Sequence, residues 1–117
     1  MSGATTSIRV FGVYLVILGA ALIVAPNAVL APFGVPPTSE VWVRVVGVLA
    51  IALGFYYGQA ARSELVPFYR ATIVVRAFVF VSFGAFVLLG FAPPALALFG
   101  TVDLAGAVWT AAALKKG

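Results

Sequence analysis

Side chains able to perform chemistry are sparse in this chain. It contains neither cysteine nor histidine, and its only carboxylates are Glu40, Glu64 and Asp103. These absences exclude a disulfide, thiolate or imidazole metal ligands and a histidine-based catalytic triad. We therefore predict a protein that is not an enzyme, and we assign it no catalytic residue, metal site or cofactor.

Arg76 is the most informative of the charged residues, because it lies inside an apolar segment with Thr72 one helical turn away. Side chains with hydroxyl groups occur at comparable depth on other predicted helices: Tyr14, Tyr56, Tyr57 and Thr110. A buried arginine surrounded by hydroxyl groups is suited to hold a lipid phosphate or a quinone carbonyl. The alternative is that Arg76 snorkels to the inner membrane surface and that the tyrosines belong to an interfacial aromatic belt.

Arg44 and Asp103 occupy matching positions in two similar stretches of the chain. The first stretch reads LGAALIVAPNAVLAPFG (18–34) followed by VRVVGVL (43–49), and the second reads FGAFVLLGFAPPALALFG (83–100) followed by VDLAGAV (102–108). The match predicts a duplicated pair of helices, related by an axis along the membrane normal. It also predicts an ion pair between Arg44 and Asp103, since burying either charge alone is costly.

Other roles for these two residues remain open. Glu40, one turn before Arg44, is a rival partner for the arginine. Asp103 could instead favour the positive end of a helix that Thr101 caps, or it could be a carboxylate that binds a proton or cation.

The composition identifies the elements that carry these residues. The 117 residues are 64% hydrophobic and only 9% charged, and the mean hydropathy is +1.20. A helix crosses a bilayer with about 20 apolar residues. We predict an all-α membrane protein with one four-helix domain over residues 1–117, whose spans cover approximately 8–25, 40–61, 68–91 and 101–114 as two tandem helical hairpins. The alternative for the fourth span is an earlier start, at Pro94. A cleaved signal peptide is the less favoured interpretation of the first span.

Basic residues predict the orientation of these spans. Five of the seven fall at the N-terminus, the second loop or the C-terminus: Arg9, Arg62, Arg70, Lys115 and Lys116. The positive-inside rule predicts that both termini are cytoplasmic. The net charge of +4 therefore indicates membrane topology and not a nucleic-acid partner.

A stripe of small residues runs along the second span. Ala50, Gly54 and Gly58 follow one another at intervals of four residues. This spacing is typical of a surface on which another helix packs closely. The partner helix could belong to the same chain or to another one.

The whole pattern resembles the DoxX-like group of small four-helix bacterial membrane proteins. The residues that carry the resemblance are RVFG from Arg9, the proline break that leads to Phe33-Gly34, and VRVVGVLAIALG from Val43. The resemblance implies an uncharacterised relative in the bacterial cytoplasmic membrane, and in some members of the group a small subunit of a quinone-linked oxidoreductase. It supplies no catalytic residue.

Two functions follow as expectations. The first is a non-catalytic accessory or scaffold subunit that packs against a membrane-protein partner or copies of itself and holds a lipid or a quinone at Arg76. The second is a small oligomeric transporter or channel. An enzyme that acts on lipid is the least favoured interpretation.

Overall fold

The structure, a computed structural model, describes residues 2–116, and the regular elements in that range are all helices. In chain order these are α1 (Gly3–Val24), α2 (Pro26–Leu30), a 3-10 helix (Ala31–Phe33), α3 (Val41–Arg62), α4 (Val66–Leu88) and α5 (Ala95–Lys115). Within the described range, four of them (α1, α3, α4 and α5) are long and apolar enough to cross a membrane. The protein is thus an all-α, multi-pass membrane protein, as the sequence predicts.

Helix α1 begins at Gly3, earlier than the predicted residue 8. The reason is a local cap, because Ser2 Oγ accepts a hydrogen bond from the amide of Thr5 at 3.1 Å. Such caps satisfy amide groups that have no partner inside the helix. The polar residues that seemed to precede the span therefore form its first two turns.

Helix α5 also begins early, at Ala95 in place of the predicted residue 101. Thr101 is not its cap, because the Thr101 hydroxyl lies within the helix and donates to the carbonyl of Ala97 at 2.8 Å. Pro94 is the residue at the helix start, and it has no backbone N–H that would need a partner there. Asp103 is consequently eight residues past Ala95 (103 − 95), beyond the first turn where it would act as a helix-dipole partner.

Glycines bring α1 and α3 into close contact. A Cβ atom built on Gly47 would lie 2.6 Å from the carbonyl oxygen of Gly19, and one built on Gly54 would lie 2.8 Å from that of Gly12. No larger side chain fits at such a distance from a neighbouring backbone. The packing partner of the α3 stripe is therefore α1 of the same chain.

The stripe itself differs in part from the prediction. Ala50 and Gly54 are buried, whereas a Cβ atom built on Gly58 would meet nothing within 4 Å. Gly47 replaces Gly58 as the second contact glycine, seven residues before Gly54. Two turns of a helix return a residue to the same face, which explains this spacing.

The long helices form two packed pairs, α1 with α3 and α4 with α5, and contacts between α1 and α5 join the pairs. At the end where α1 finishes, the rings of Phe33 and Phe99 meet with their centroids 4.8 Å apart. These two phenylalanines are equivalent in the predicted repeat. Their contact is what two copies of one position make when both lie near a pseudo-twofold axis.

Candidate functional site

Arg76 lies near the middle of α4. It is ten residues after Val66 and twelve before Leu88 (76 − 66 and 88 − 76), so each end of the helix is roughly 15 to 18 Å away at 1.5 Å per residue. Its side chain is only 1% exposed. The arginine is therefore enclosed by the helices and does not snorkel to the inner surface.

Two threonines receive hydrogen bonds from the guanidinium. Arg76 Nε donates to the carbonyl of Thr72 at 3.2 Å. Arg76 Nη2 donates to Thr72 Oγ1 at 2.9 Å and to Thr110 Oγ1 at 3.0 Å. Because Thr72 is on α4 and Thr110 on α5, these bonds fix the guanidinium between two helices.

The other terminal nitrogen of the guanidinium, Nη1, makes no such hydrogen bond. Among residues 2–116, Arg76 Nη1 has no hydrogen-bond partner although it is buried. A buried donor without a partner costs about 1–3 kcal/mol, and more when the group is charged. Nη1 faces Gly106, where a Cβ atom would lie only 2.9 Å away, so a glycine is needed to leave room for it.

Aromatic rings cover the guanidinium. Its central carbon lies 4.8 Å from the centroid of the Phe11 ring and 5.8 Å from that of Tyr57. The Phe68 ring packs edge-on against Tyr57, with centroids 5.5 Å apart. Cation–π contacts of this kind are strongest when water is excluded, and they help a cation to remain in the apolar interior.

Hydroxyl groups on α1 extend the polar network toward the end of the bundle at which the chain begins. Ser7 Oγ lies 2.7 Å from Thr110 Oγ1 and donates to the carbonyl of Ala4 at 2.7 Å. Nearby, Thr5 Oγ1 lies 2.8 Å from the hydroxyl of Tyr69. The network thus ties α1 to both helices of the second hairpin.

Two adjoining cavities lie between the helices. The first has a volume of about 200 Å³ and its lining includes Phe11, Tyr57, Phe68, Thr72, Arg76 and Asp103. The second has a volume of about 300 Å³, extends to Leu30 and Phe99, and is lined mainly by apolar side chains. Leu15, Leu53, Val79 and Asp103 contribute to both cavities, so the two form one apolar space with charged groups in its wall.

Asp103 is therefore part of the same site as Arg76. The two side chains interact electrostatically, and no ion pair joins them within the described chain. Tyr14 lines the second cavity with Asp103, and its ring packs against Phe11 at 5.3 Å between centroids. Asp103 is partly buried, at the junction of the two cavities.

Arg44 has a different partner from the one predicted. Its Nη1 donates to the carbonyl of Ile23 in the last turn of α1, where carbonyl groups lack partners inside their own helix. Asp103 lines the second cavity with Leu18 of α1, whereas Arg44 reaches Ile23, five residues further along α1 (23 − 18), a difference of roughly 8 Å along the helix. This difference in depth keeps Arg44 and Asp103 apart, and Arg44 instead stabilises the negative end of α1.

Four of the six predicted ligand-binding residues line the two cavities: Arg76, Thr72, Tyr57 and Tyr14. A fifth, Thr110, lines neither cavity and accepts a hydrogen bond from Arg76. Tyr56 does neither, because it is 60% exposed and its ring faces Phe55. Consecutive residues on a helix point about 100° apart, so Tyr56 and Tyr57 cannot face the same site.

Several residues of the site were not predicted, and Ser7 and Phe11 are the most important. Both lie on the α1 face that continues from Ala4, at spacings of three and four residues. That periodicity is present in the sequence, but it is visible only if α1 is known to begin at Gly3.

Comparison of this chain with family models, curated proteins and solved structures found no match. The resemblance to the DoxX-like group therefore stays a prediction from the sequence pattern, and the functional argument depends on the geometry of the site.

Proposed function

We propose that this protein is a small, non-catalytic accessory subunit of a bacterial cytoplasmic membrane that binds an amphipathic membrane ligand, a lipid or a quinone, at Arg76. The observation that carries the proposal is a buried arginine that lines an apolar cavity and keeps one donor, Nη1, without a partner in the described chain. A ligand that accepts a hydrogen bond from Nη1 and places its apolar part in the cavity satisfies both features.

Access from the bilayer supports this proposal. The rim of the first cavity includes Leu53 of α3 and Val75 of α4, which are 49% and 56% exposed. Helices α3 and α4 belong to different packed pairs, so the cavity opens between them toward lipid. A membrane-soluble molecule can then enter sideways without crossing either polar surface.

The accessory role rests on the chain as a whole. The sequence has no cysteine or histidine, and almost the whole described chain consists of membrane helices and short connections. We therefore place the partner within the membrane, as a larger membrane protein or a second copy of this chain. The basic residues at both ends and in the second loop support cytoplasmic termini.

Native mass spectrometry of the mildly solubilised protein tests the binding role. The parent should carry a lipid or quinone that an Arg76→Met variant loses, because Met keeps the apolar bulk and removes the donor. Arg70→Met, an exposed position on the same helix, is the matched control and should retain the ligand. Circular dichroism would verify that all three proteins are folded.

An equal complement of bound molecules in the folded parent and the folded Arg76→Met variant would overturn the proposal.

A small oligomeric transporter is the second candidate, and the position of Asp103 favours it. This carboxylate lies at the junction of the two cavities, and intramembrane carboxylates often mark ion or proton pathways. Ethidium accumulation in cells distinguishes the candidates. Transport predicts that the parent lowers ethidium accumulation and that Asp103→Asn does not, whereas the accessory role predicts the same accumulation with both.

A further inference from the structure

The site contains two charged side chains with unused hydrogen-bonding capacity. Arg76 Nη1 has a donor without an acceptor, and no hydrogen bond reaches the Asp103 carboxylate from any of residues 2–116. Arg76 and Asp103 both line the same cavity of about 200 Å³. Building on the function proposed above, we propose that the ligand is an uncharged, single-chain amphiphile whose hydroxyl head group accepts from Arg76 Nη1 and donates to Asp103.

Charge excludes ionic head groups. Arginine stays protonated in proteins, and an ionised Asp103 in the same cavity wall offsets its charge, so the cavity then has no net charge before a ligand enters. A phosphate or carboxylate head group would add an uncompensated negative charge beside Asp103. In an apolar interior, where charges are weakly screened, an uncompensated charge is far more costly than at the surface.

Hydrogen bonding then selects among the uncharged head groups. A guanidinium nitrogen can only donate and a carboxylate can only accept. A hydroxyl group does both, and therefore satisfies Arg76 Nη1 and Asp103 together. An ether, or a ketone such as a quinone carbonyl, accepts from Arg76 but leaves the carboxylate without a donor, and a buried polar group without a partner is costly. Of the two ligand classes proposed above, the lipid is therefore the one that fits.

The shape of the cavities selects a single chain. The second cavity, of about 300 Å³, adjoins the first at Leu15, Leu53 and Val79 and continues to Leu96 and Phe99. The combined space is at the small end of the roughly 300–1,000 Å³ that pockets for drug-sized ligands occupy. One apolar tail follows this path with its head at Arg76, and a second tail would have to stay outside in the bilayer.

Three probes with the same tail test the head group: oleyl alcohol, oleyl methyl ether and sodium oleate. Their affinities for the full chain in detergent micelles are measured by native mass spectrometry. Oleyl alcohol should bind about five- to tenfold more tightly than the ether, the value of one net hydrogen bond. Oleate should bind more weakly than the alcohol.

Asp103→Asn reverses the charge preference in the same assay. Asparagine keeps the size of the side chain and its acceptor oxygen but removes the negative charge. Oleate should bind the Asp103→Asn protein at least about tenfold more tightly than it binds the parent, since one intramembrane charge contact is worth more than 1.4 kcal/mol. The affinity for oleyl alcohol should change by less than about threefold.

Filling the cavity locates the binding. Val79 lines both cavities, so Val79→Phe should abolish binding of oleyl alcohol. Val81→Phe adds the same bulk on the same helix at a position that is 64% exposed, and it should leave the affinity unchanged.

The outcomes separate this inference from the proposed function. Equal affinities of the parent for the alcohol and the ether, or tighter binding of oleate, would overturn the hydroxyl-bearing ligand and leave a ligand site at Arg76. Affinities that are the same in the parent and in the folded Arg76→Met and Val79→Phe proteins would overturn the site itself.

Discussion

At the scale of single residues, Thr110 connects more of the polar network than any of its neighbours. It is fully buried and accepts from Arg76 Nη2 at 3.0 Å. Its single proton can go to Ser7 Oγ at 2.7 Å or to the carbonyl of Gly106 at 3.1 Å. One hydroxyl group thus links α1, α4 and α5. Removing it leaves the arginine and the serine without that partner.

We predict that Thr110→Val destabilises the protein by about 1–3 kcal/mol, the cost of buried polar groups that lose their partners. The free energy of unfolding is measured by titration with dodecyl sulfate in mixed micelles. Thr101→Val is the matched control on the same helix, since Thr101 is exposed and bonds only to the carbonyl of Ala97. Its effect should stay within about 0.5 kcal/mol. Equal losses for both variants would show that the network does not hold the helices together.

Part of the site could be predicted residue by residue from the sequence. Arg76, Thr72, Tyr57 and Thr110 were predictable, because each polar group in an apolar helix needs an explanation. That Asp103 belongs to the same site was not predictable, because its depth depends on where α5 begins. The prolines indicate a break between α4 and α5 but do not determine the first residue of α5.

At the scale of helices, the contact between α1 and α3 depends on Gly47. We predict that Gly47→Ala destabilises the protein by about 1–3 kcal/mol, because the added Cβ atom would lie 2.6 Å from the carbonyl oxygen of Gly19. Backbone atoms cannot move aside as a flexible side chain does. The unfolding titration that compares the two threonine variants also measures this change.

Gly58→Ala is the control for the helix contact, because its Cβ atom would meet nothing within 4 Å. Alanine favours helix over glycine by about 1 kcal/mol, so this variant should be as stable as the parent or slightly more so. If Gly47→Ala were equally harmless, the close approach of α1 to α3 would be wrong.

The helices themselves were largely predictable, and their ends were not. Long apolar runs identified all four spans, since a bilayer requires about 20 such residues. The contacts between spans were predictable only in part, because small residues indicate a packing surface but not its partner. The stripe at Ala50 and Gly54 was predicted, whereas Gly47 was not; its position opposite Gly19 in the structure identifies it as a contact residue.

At the scale of the whole molecule, the longest dimension is 44 Å, close to the roughly 40–45 Å of a bilayer with its head groups. The two hairpins place the connection after α1 and the connection after α4 at one surface. The connection after α3 lies at the opposite surface with both ends of the described chain. Orientation then depends on which surface carries the basic residues.

We predict that both termini and the α3–α4 connection are cytoplasmic. The chain has no cysteine, so single-cysteine variants report exposure without a background signal. Ser39→Cys should react with a membrane-impermeant maleimide once the outer membrane, where present, is opened. Ser63→Cys should react only after the cytoplasmic membrane is permeabilised. The reverse pattern would show an inverted protein.

The bond between Arg76 and Thr72 has a consequence for biogenesis. During synthesis α4 leaves the ribosome before α5, so Arg76 must enter the lipid before Thr110 is available. Thr72 is on the same helix and already accepts two bonds from the guanidinium, at 2.9 and 3.2 Å. Helix α4 thus supplies hydrogen-bond acceptors for its own arginine. Inserting an arginine at a helix centre costs about 2.5–3.5 kcal/mol on translocon scales. In a glycosylation-mapping assay, Thr72→Val should lower the fraction of isolated α4 that is inserted into the membrane. Thr72→Ser keeps the hydroxyl group and should preserve that fraction. Equal insertion of both variants would mean that the translocon accepts Arg76 without the threonine hydroxyl.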